Sequence, residues 1–121
     1  MPPIVLYSET RYPDDAVENS VYGKDIAVRW RNVEEVADLT AADCADVAGL
    51  AVTRHGVTAQ DFKKFPNLRC VLRMGVGYDK VDRKAAAAHN VMVCNVPDYG
   101  TTEVADHAMA LVMSLRRGVA T

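Results

Sequence analysis

The sequence predicts a three-layer α/β domain built on a five-stranded parallel sheet. Three observations carry this expectation. Short runs rich in Val, Ile and Leu recur along the chain, and segments with helix signals separate them. The runs are continuously apolar rather than alternating, as strands covered on both faces are. Strands interleaved with helices make βαβ units, whose right-handed crossovers give a parallel sheet.

The strand candidates are residues 4–7, 25–30, 47–53, 70–74 and 91–94. Between them, Thr40 with Asp43 and Thr58 with Asp61 each set an N-cap hydroxyl three residues before an acid. That spacing lets side chain and backbone satisfy each other at a helix start. Residues 83–89 contain four consecutive alanines, the best helix former, and end at His89, where a helix dipole favours a cation. No linker, internal repeat or low-complexity stretch interrupts the pattern. The expected topology is flavodoxin-like, in a single domain over residues 1–121.

The final helix breaks the pattern. Val104, Ala108, Leu111 and Leu115 form one stripe, and Ala105, Met109, Val112 and Met113 carry apolar character around most of the circumference. A helix apolar nearly all round is buried on more than one side. We therefore expect a protruding apolar C-terminal helix, its 104–115 stretch covered by a second domain, a second subunit or both. The competing reading is a central helix sandwiched within this domain. Arg116 and Arg117 fall where cations favour a helix C-terminus. His107, beside Asp106, has packing or an interface as its default role.

Composition narrows the function classes. Half of the 121 residues are hydrophobic, enough for one core. Fourteen Lys and Arg against sixteen Asp and Glu give a net charge of -2, which offers no basic surplus for nucleic acid. The longest apolar runs, such as residues 108–113, fall far short of the ~18 residues of a membrane span. The start, Met1-Pro2-Pro3 before an apolar run, carries neither a basic lead nor a cleavage site. Three cysteines, Cys44, Cys70 and Cys94, are an odd number without CxxC spacing. Reduced, buried thiols in a cytoplasmic protein follow, rather than a disulfide frame or a zinc site.

The most informative local feature is the Gly75-Val76-Gly77 loop directly after the fourth strand candidate. Two glycines past a strand's carboxyl end allow a tight turn and expose backbone N–H groups in the ligand crevice of an open α/β sheet. Such groups suit a carboxylate or phosphate. A plain strand-to-helix turn is the competing reading. A dinucleotide fingerprint would need a glycine where Lys80 stands, and the acid about 20 residues on would be Asp98, in a loop. The dinucleotide reading is rejected.

Two more loops belong to the same rim. Asn95, before Pro97 and Gly100, stands where it can bond beside the glycine loop. Arg54 and His55 place a cation and an imidazole at the end of the third strand, open either to an anionic ligand or simply to solvent. Catalytic templates fail: no serine elbow, HExxH, P-loop or metal-ligand cluster is present. Cys94 has no named base and reads as a small buried hydrophobe rather than a nucleophile.

Residues 67–82 (NLRCVLRMGVGYDKVD) resemble the substrate-domain motif of the D-isomer-specific 2-hydroxyacid dehydrogenases. This family includes phosphoglycerate dehydrogenases, glyoxylate reductases, formate dehydrogenase and the C-terminal-binding-protein corepressors. The likeness continues through residues 85–88, 91–97 and 100–107 and covers roughly residues 47 to 117. Residues 1–46 agree only in their strand–helix pattern.

The resemblance implies a flavodoxin-like substrate domain, commonly called catalytic, with a Rossmann NAD-binding domain inserted after the long helix. It implies that backbone amides of Val76 and Gly77, with Gly75 shaping the turn, hold the substrate carboxylate. Asn95 matches a substrate-contacting position of some members, and Val104 a position near the nicotinamide. Residues 101–103 belong to the interdomain hinge, and residues 101–117 form the interdomain and dimerisation helix, so a homodimer is the expected assembly. Asp106 replaces the commoner Glu, as in some corepressor-like members.

The family's catalytic Arg, Glu and His and its GxGxxG loop follow the point where this sequence stops. The expectation is a substrate-binding portion without catalytic residues of its own, in which NAD serves the full-length family and does not bind this chain alone. Hydride transfer needs the nicotinamide held against the substrate carbon. The chain alone is therefore expected to be inactive in reducing 2-oxoacids or oxidising 2-hydroxyacids. The rival is a corepressor-like or stand-alone module that binds an anion or a peptide without catalysis.

Overall fold

A computed structural model of the chain describes residues 1–10 and 12–119. Five strands, β1 (Ile4–Tyr7), β2 (Ala27–Trp30), β3 (Val47–Val52), β4 (Cys70–Arg73) and β5 (Met92–Asn95), form one sheet. Its order is β2-β1-β3-β4-β5 and every pairing is parallel. That order is the flavodoxin-like one, with its direction reversing between β1 and β3. The five expected strands are all present. β2 starts two residues later than its apolar run because Gly23, at φ +58°, turns the chain and the Asp25 N–H bonds back to the Tyr22 carbonyl at 3.2 Å.

The helices are α1 (Ala16–Tyr22), α2 (Ala41–Cys44), α3 (Ala59–Phe62), α4 (Arg83–Ala88) and α5 (Thr101–Arg117), with a 3-10 turn at Val36–Asp38. Both expected capping boxes are made. The Thr40 Oγ1 accepts from the Asp43 N–H at 3.2 Å while Asp43 accepts from the Thr40 N–H at 3.1 Å. Asp61 likewise accepts from the Thr58 N–H at 2.8 Å and from its hydroxyl at 2.7 Å. Asp82 caps α4 through the Ala85 N–H at 2.9 Å.

The core lies on one side of the sheet. Leu6, Leu50, Val52 and Val71 point into it, and Val36, Leu39, Phe62, Phe65, Val81 and Ala86 close it from the helical layer. Right-handed crossovers put α1 on the opposite face, because β1 to β2 runs against the direction of the later strands. Only this short helix serves that face, so coverage is uneven. Cys70 and Leu72 are half-buried and Met92 is exposed, although the continuous apolar runs led us to expect cover on both faces.

Among the described residues, α5 packs closely on no other strand or helix. Except for the half-buried Ser114, all its residues are exposed, with Val104 at 70% and Leu115 at 76%. The helix protrudes, as expected, and the sandwiched alternative is overturned. It is about 25 Å long at 1.5 Å per residue. No described helix is long and apolar enough to cross a membrane.

Candidate functional site

Each parallel strand delivers its last residue to one rim of the sheet, and open α/β sheets bind ligands at the carboxyl-end rim, where the strand order reverses. Here that point is the gap between β1 and β3. Ser8 and Glu9 leave β1, and Thr53, Arg54 and His55 leave β3.

Glu9 organises the gap. Its Oε1 accepts the N–H groups of Thr53 (3.1 Å), Arg54 and His55 (3.0 Å), and its Oε2 takes the Arg54 Nε at 2.8 Å. Burial alone would raise the Glu9 pKa. The bonds from the Arg54 amide and guanidinium and from the His55 amide more than offset it, and hold the group at about 2. Three successive amides around one oxygen form an anion nest, and the protein fills it with its own carboxylate.

The two rim residues expected beside each other divide. The His55 side chain is 9% exposed, with Nδ1 3.0 Å from the Ser8 hydroxyl and Nε2 3.8 Å from Glu9. It braces the nest rather than meeting solvent. Arg54 is 62% exposed and turns outward while Glu9 holds its Nε.

The glycine loop is the opposite case. The Gly75 N–H bonds to the Arg73 carbonyl at 2.8 Å, whereas those of Val76 and Gly77 donate to no acceptor among the described residues. Gly75 and Gly77 lack positive φ, so an unusual backbone conformation is not their reason. What Gly75 supplies is room: the Arg73 guanidinium occupies the position its Cβ would take. That guanidinium is itself without a hydrogen bond or ion pair among the described residues. Sequence reasoning missed it, although a strand-terminal arginine immediately before a glycine loop was a visible signal.

Asn95, in register with Arg73 across β4 and β5, donates from Nδ2 to the Val76 carbonyl at 2.8 Å. The Val96 N–H bonds the Gly75 carbonyl at 3.0 Å. Past the loop, Val81 pairs with Val57 in a parallel bridge, and the Lys80 ammonium reaches the Arg54 carbonyl at 3.2 Å. The glycine loop is thus tied to both neighbouring loops while its two amides stay open.

A cavity of about 510 Å³ lies at the strand-order reversal, between Thr10, Tyr12, Arg54, Met74, Val96 and Tyr99. Met74 and Val96 flank Gly75, so the cavity borders the open loop. Val104 stands one turn into α5 and is exposed. No dinucleotide cradle forms, because the chain runs from Gly77 through the Val57 bridge before α4 starts at Arg83. A pyrophosphate would therefore meet no helix N-terminus at this loop.

The remaining reactive groups lie elsewhere. His89 stacks on Phe62 with ring centroids 5.9 Å apart, and His107 is exposed on α5. Cys44 is fully buried, and Cys70 and Cys94 lie with their sulfurs 3.9 Å apart and unlinked. Burial, together with the neighbouring Cys94, pushes the Cys70 thiol up to about 11. Among the described residues no cluster of three or more His, Cys, Asp or Glu could hold a metal.

Comparison with known proteins bears on the fold and the family. The D-3-phosphoglycerate dehydrogenase of Mycobacterium tuberculosis (strain ATCC 25618 / H37Rv) is 32% identical over 117 residues, 97% of this chain and 22% of that protein. The NADPH-dependent glyoxylate/hydroxypyruvate reductase of Sinorhizobium meliloti, solved with NADP and malonate, superposes with a TM-score of 0.73. It is 34% identical, over 94% of this chain and 34% of that one. The 2-hydroxyacid dehydrogenase of Ketogulonicigenium vulgare Y25 gives 0.79 at 27% identity, over 98% and 37%. The chain spans between about a fifth and two fifths of the length of these proteins. The family model for the catalytic domain of D-isomer specific 2-hydroxyacid dehydrogenases matches residues 4–121, and the chain belongs to that family.

Proposed function

We propose that this chain is the substrate-binding domain of an NAD(P)-linked 2-hydroxyacid dehydrogenase. The carboxylate of a 2-oxo or 2-hydroxy acid rests on the N–H groups of Val76 and Gly77. Asn95 fixes the loop through the Val76 carbonyl, and Arg73 adds a positive charge beside it. The observation that carries the reading is the pair of unpaired amides in a loop braced on both sides.

The cofactor's chemistry, hydride transfer, is supplied from outside these residues, since they do not fit a dinucleotide. The same holds for the proton-transferring group: His55 is enclosed by Ser8 and Glu9, His89 stacks on Phe62, and His107 stands on the protruding helix. Thr101–Arg117, with its uncovered apolar surface, serves as the interdomain and subunit contact, and Val104 on it faces the nicotinamide side.

The test is a titration of isotopically labelled chain with pyruvate and with D-lactate, followed by amide chemical shifts. Saturable shifts at Val76 and Gly77, with no NADH-dependent turnover by the same sample, support the reading. Turnover by the chain alone overturns it. So do shifts confined to other surfaces, which point instead to the non-catalytic binding module.

A further inference from the structure

We infer that the thinly covered face of the sheet carries a site for a soft cation of the Cu(I) class, held by the thiols of Cys70 and Cys94 and the thioether of Met92. The site is separate from the glycine loop and stands whether or not that loop binds a carboxylate.

Strand alternation brings the three sulfurs to one face. Val71 and Val93 belong to the core side, so Cys70, Leu72, Met92 and Cys94 turn to the opposite face. In the register of β4 and β5, Met92 stands opposite Cys70 and Cys94 opposite Leu72. Cys94 is therefore the diagonal neighbour of Cys70, and the two sulfurs approach to 3.9 Å. On the other side of β4 the register partners are Gly49 and Ala51, whose side chains are too small to cover the pair. Since β5 is the last strand, both thiols are half-buried and Met92 is 65% exposed, a cation reaches the group from solvent.

The spacing separates two fates of a thiol pair. Neighbouring strands lie about 4.8 Å apart and two residues rise about 6.6 Å, which sets the Cα atoms of this diagonal pair roughly 8 Å apart. A disulfide spans at most about 7 Å without backbone movement. β4 is held in the ladder from both sides, so that movement is opposed. A shared cation asks for no such movement. With sulfur about 2.3 Å from the metal, two sulfurs at tetrahedral to trigonal angles stand about 3.8 to 4.0 Å apart. The observed 3.9 Å falls in that interval.

Donor chemistry chooses the cation. Thiolate and thioether sulfurs favour soft ions such as Cu(I), whereas Mg, Ca and Mn take oxygen donors. The register neighbours Gly49, Ala51 and Leu72 add no side-chain oxygen or nitrogen. Structural zinc closes a tetrahedron of four ligands, and three sulfurs suit a three-coordinate ion better. Met92, unbranched and exposed, can swing its sulfur over the pair. On binding, two S–H bonds break and two S–Cu bonds form, both protons pass to solvent, and the copper stays Cu(I).

The experiment titrates the reduced 121-residue chain with Cu(I) in the absence of oxygen, against a chromogenic Cu(I) chelator, and counts the ligands by copper X-ray absorption. We expect one Cu(I) per chain in an all-sulfur shell of three. Cys70→Ser and Cys94→Ser should each weaken binding at least a hundredfold, and the buried Cys44 should not matter, so that Cys44→Ala binds as the unaltered chain does. Met92→Leu keeps the volume of an exposed side chain, so it reads the site even where a cysteine variant fails to fold. It should weaken binding about tenfold and leave two sulfurs in the shell. Copper held as tightly by Cys94→Ser as by the unaltered chain overturns the inference, as does a shell of nitrogen or oxygen. An unchanged affinity in Met92→Leu overturns the three-sulfur site, and Zn(II) bound as tightly as Cu(I) overturns the choice of cation.

Discussion

Two loops at the same rim treat their backbone amides in opposite ways. After β3, three N–H groups converge on a single oxygen of Glu9, a side chain from another strand. After β4, two N–H groups converge on nothing, although Asn95, Val96 and the Val57–Val81 bridge hold the loop that carries them. The first loop is anchored by an anion the protein carries itself. The second leaves its amides open, which is what the proposed carboxylate site requires. Unpaired amides are costly only when water cannot reach them, and Val76 and Gly77 are exposed, so the domain keeps this opening cheaply. Internal satisfaction thus marks scaffold at this rim, and the open amides mark the loop proposed to take the carboxylate.

The largest effect should come from emptying the filled loop. Glu9→Ala leaves three amides and Arg54 without their acceptor, and should lower unfolding free energy by about 3 kcal/mol. Glu9→Gln, which keeps an oxygen, should cost less and still fold. The charge has a pH signature whose sign follows from the depressed pKa. Glu9 titrates at about 2 in the folded chain against 4.5 unfolded, so its contribution is present above pH 4.5 and is lost as pH falls toward 2. A shift of that size corresponds to about 3 kcal/mol. Urea unfolding of wild type and Glu9→Gln across that range should show the stability gap closing. Asp43 and Asp46 also have lowered pKa values, but they act in both proteins and drop out of the difference. A gap that stays constant from pH 5 to pH 2.5 means that Glu9 does not anchor the loop through its charge.

The open loop predicts the reverse balance. Gly75→Ala must displace the Arg73 guanidinium, the flexible end of a side chain, so stability should change by less than about 1 kcal/mol. The displaced cation and distorted turn should nonetheless weaken carboxylate binding by roughly tenfold, or about 1.4 kcal/mol. Shift titrations and urea unfolding on the same variant separate the two quantities. Equal losses in both would make the glycine loop scaffold after all.

What could be read from sequence was what is local. The Thr40–Asp43 and Thr58–Asp61 boxes span three residues, and the strands announce themselves by continuous apolar runs. α1 escaped because it buries no residue and its N-cap, Asp15, makes no side-chain bond. Glu9 escaped for the converse reason. Its partners lie 44 to 46 residues away, and an acid after a strand looks like any solvated rim residue. The same distance hid the division of Arg54 from His55, because neighbours in sequence leave a strand end in different directions. Apolarity around α5 was legible in its residues, whereas its partner is not written in them. Gly75 was singled out for turn freedom, but its need for space depends on where Arg73 lies.

The smallest effect tests whether Asn95 positions the loop or touches the ligand. Its bond to the Val76 carbonyl is a single neutral one at 2.8 Å, worth about 1 kcal/mol. Asn95→Ala should therefore weaken carboxylate binding by roughly fivefold, within what one such bond supplies, with Val76 losing more order than Gly77. Asn95→Asp gives the sharper comparison. It removes the donor and sets a negative charge beside the two open amides, so it should bind a carboxylate more weakly than Asn95→Ala at pH 7. Lowering the pH through the ordinary carboxyl range should bring the two variants together as the new acid protonates. If both variants bind as wild type does, the Val57–Val81 bridge and the Val96 bond alone hold the loop, and the difference between the two rim loops lies in Glu9 only.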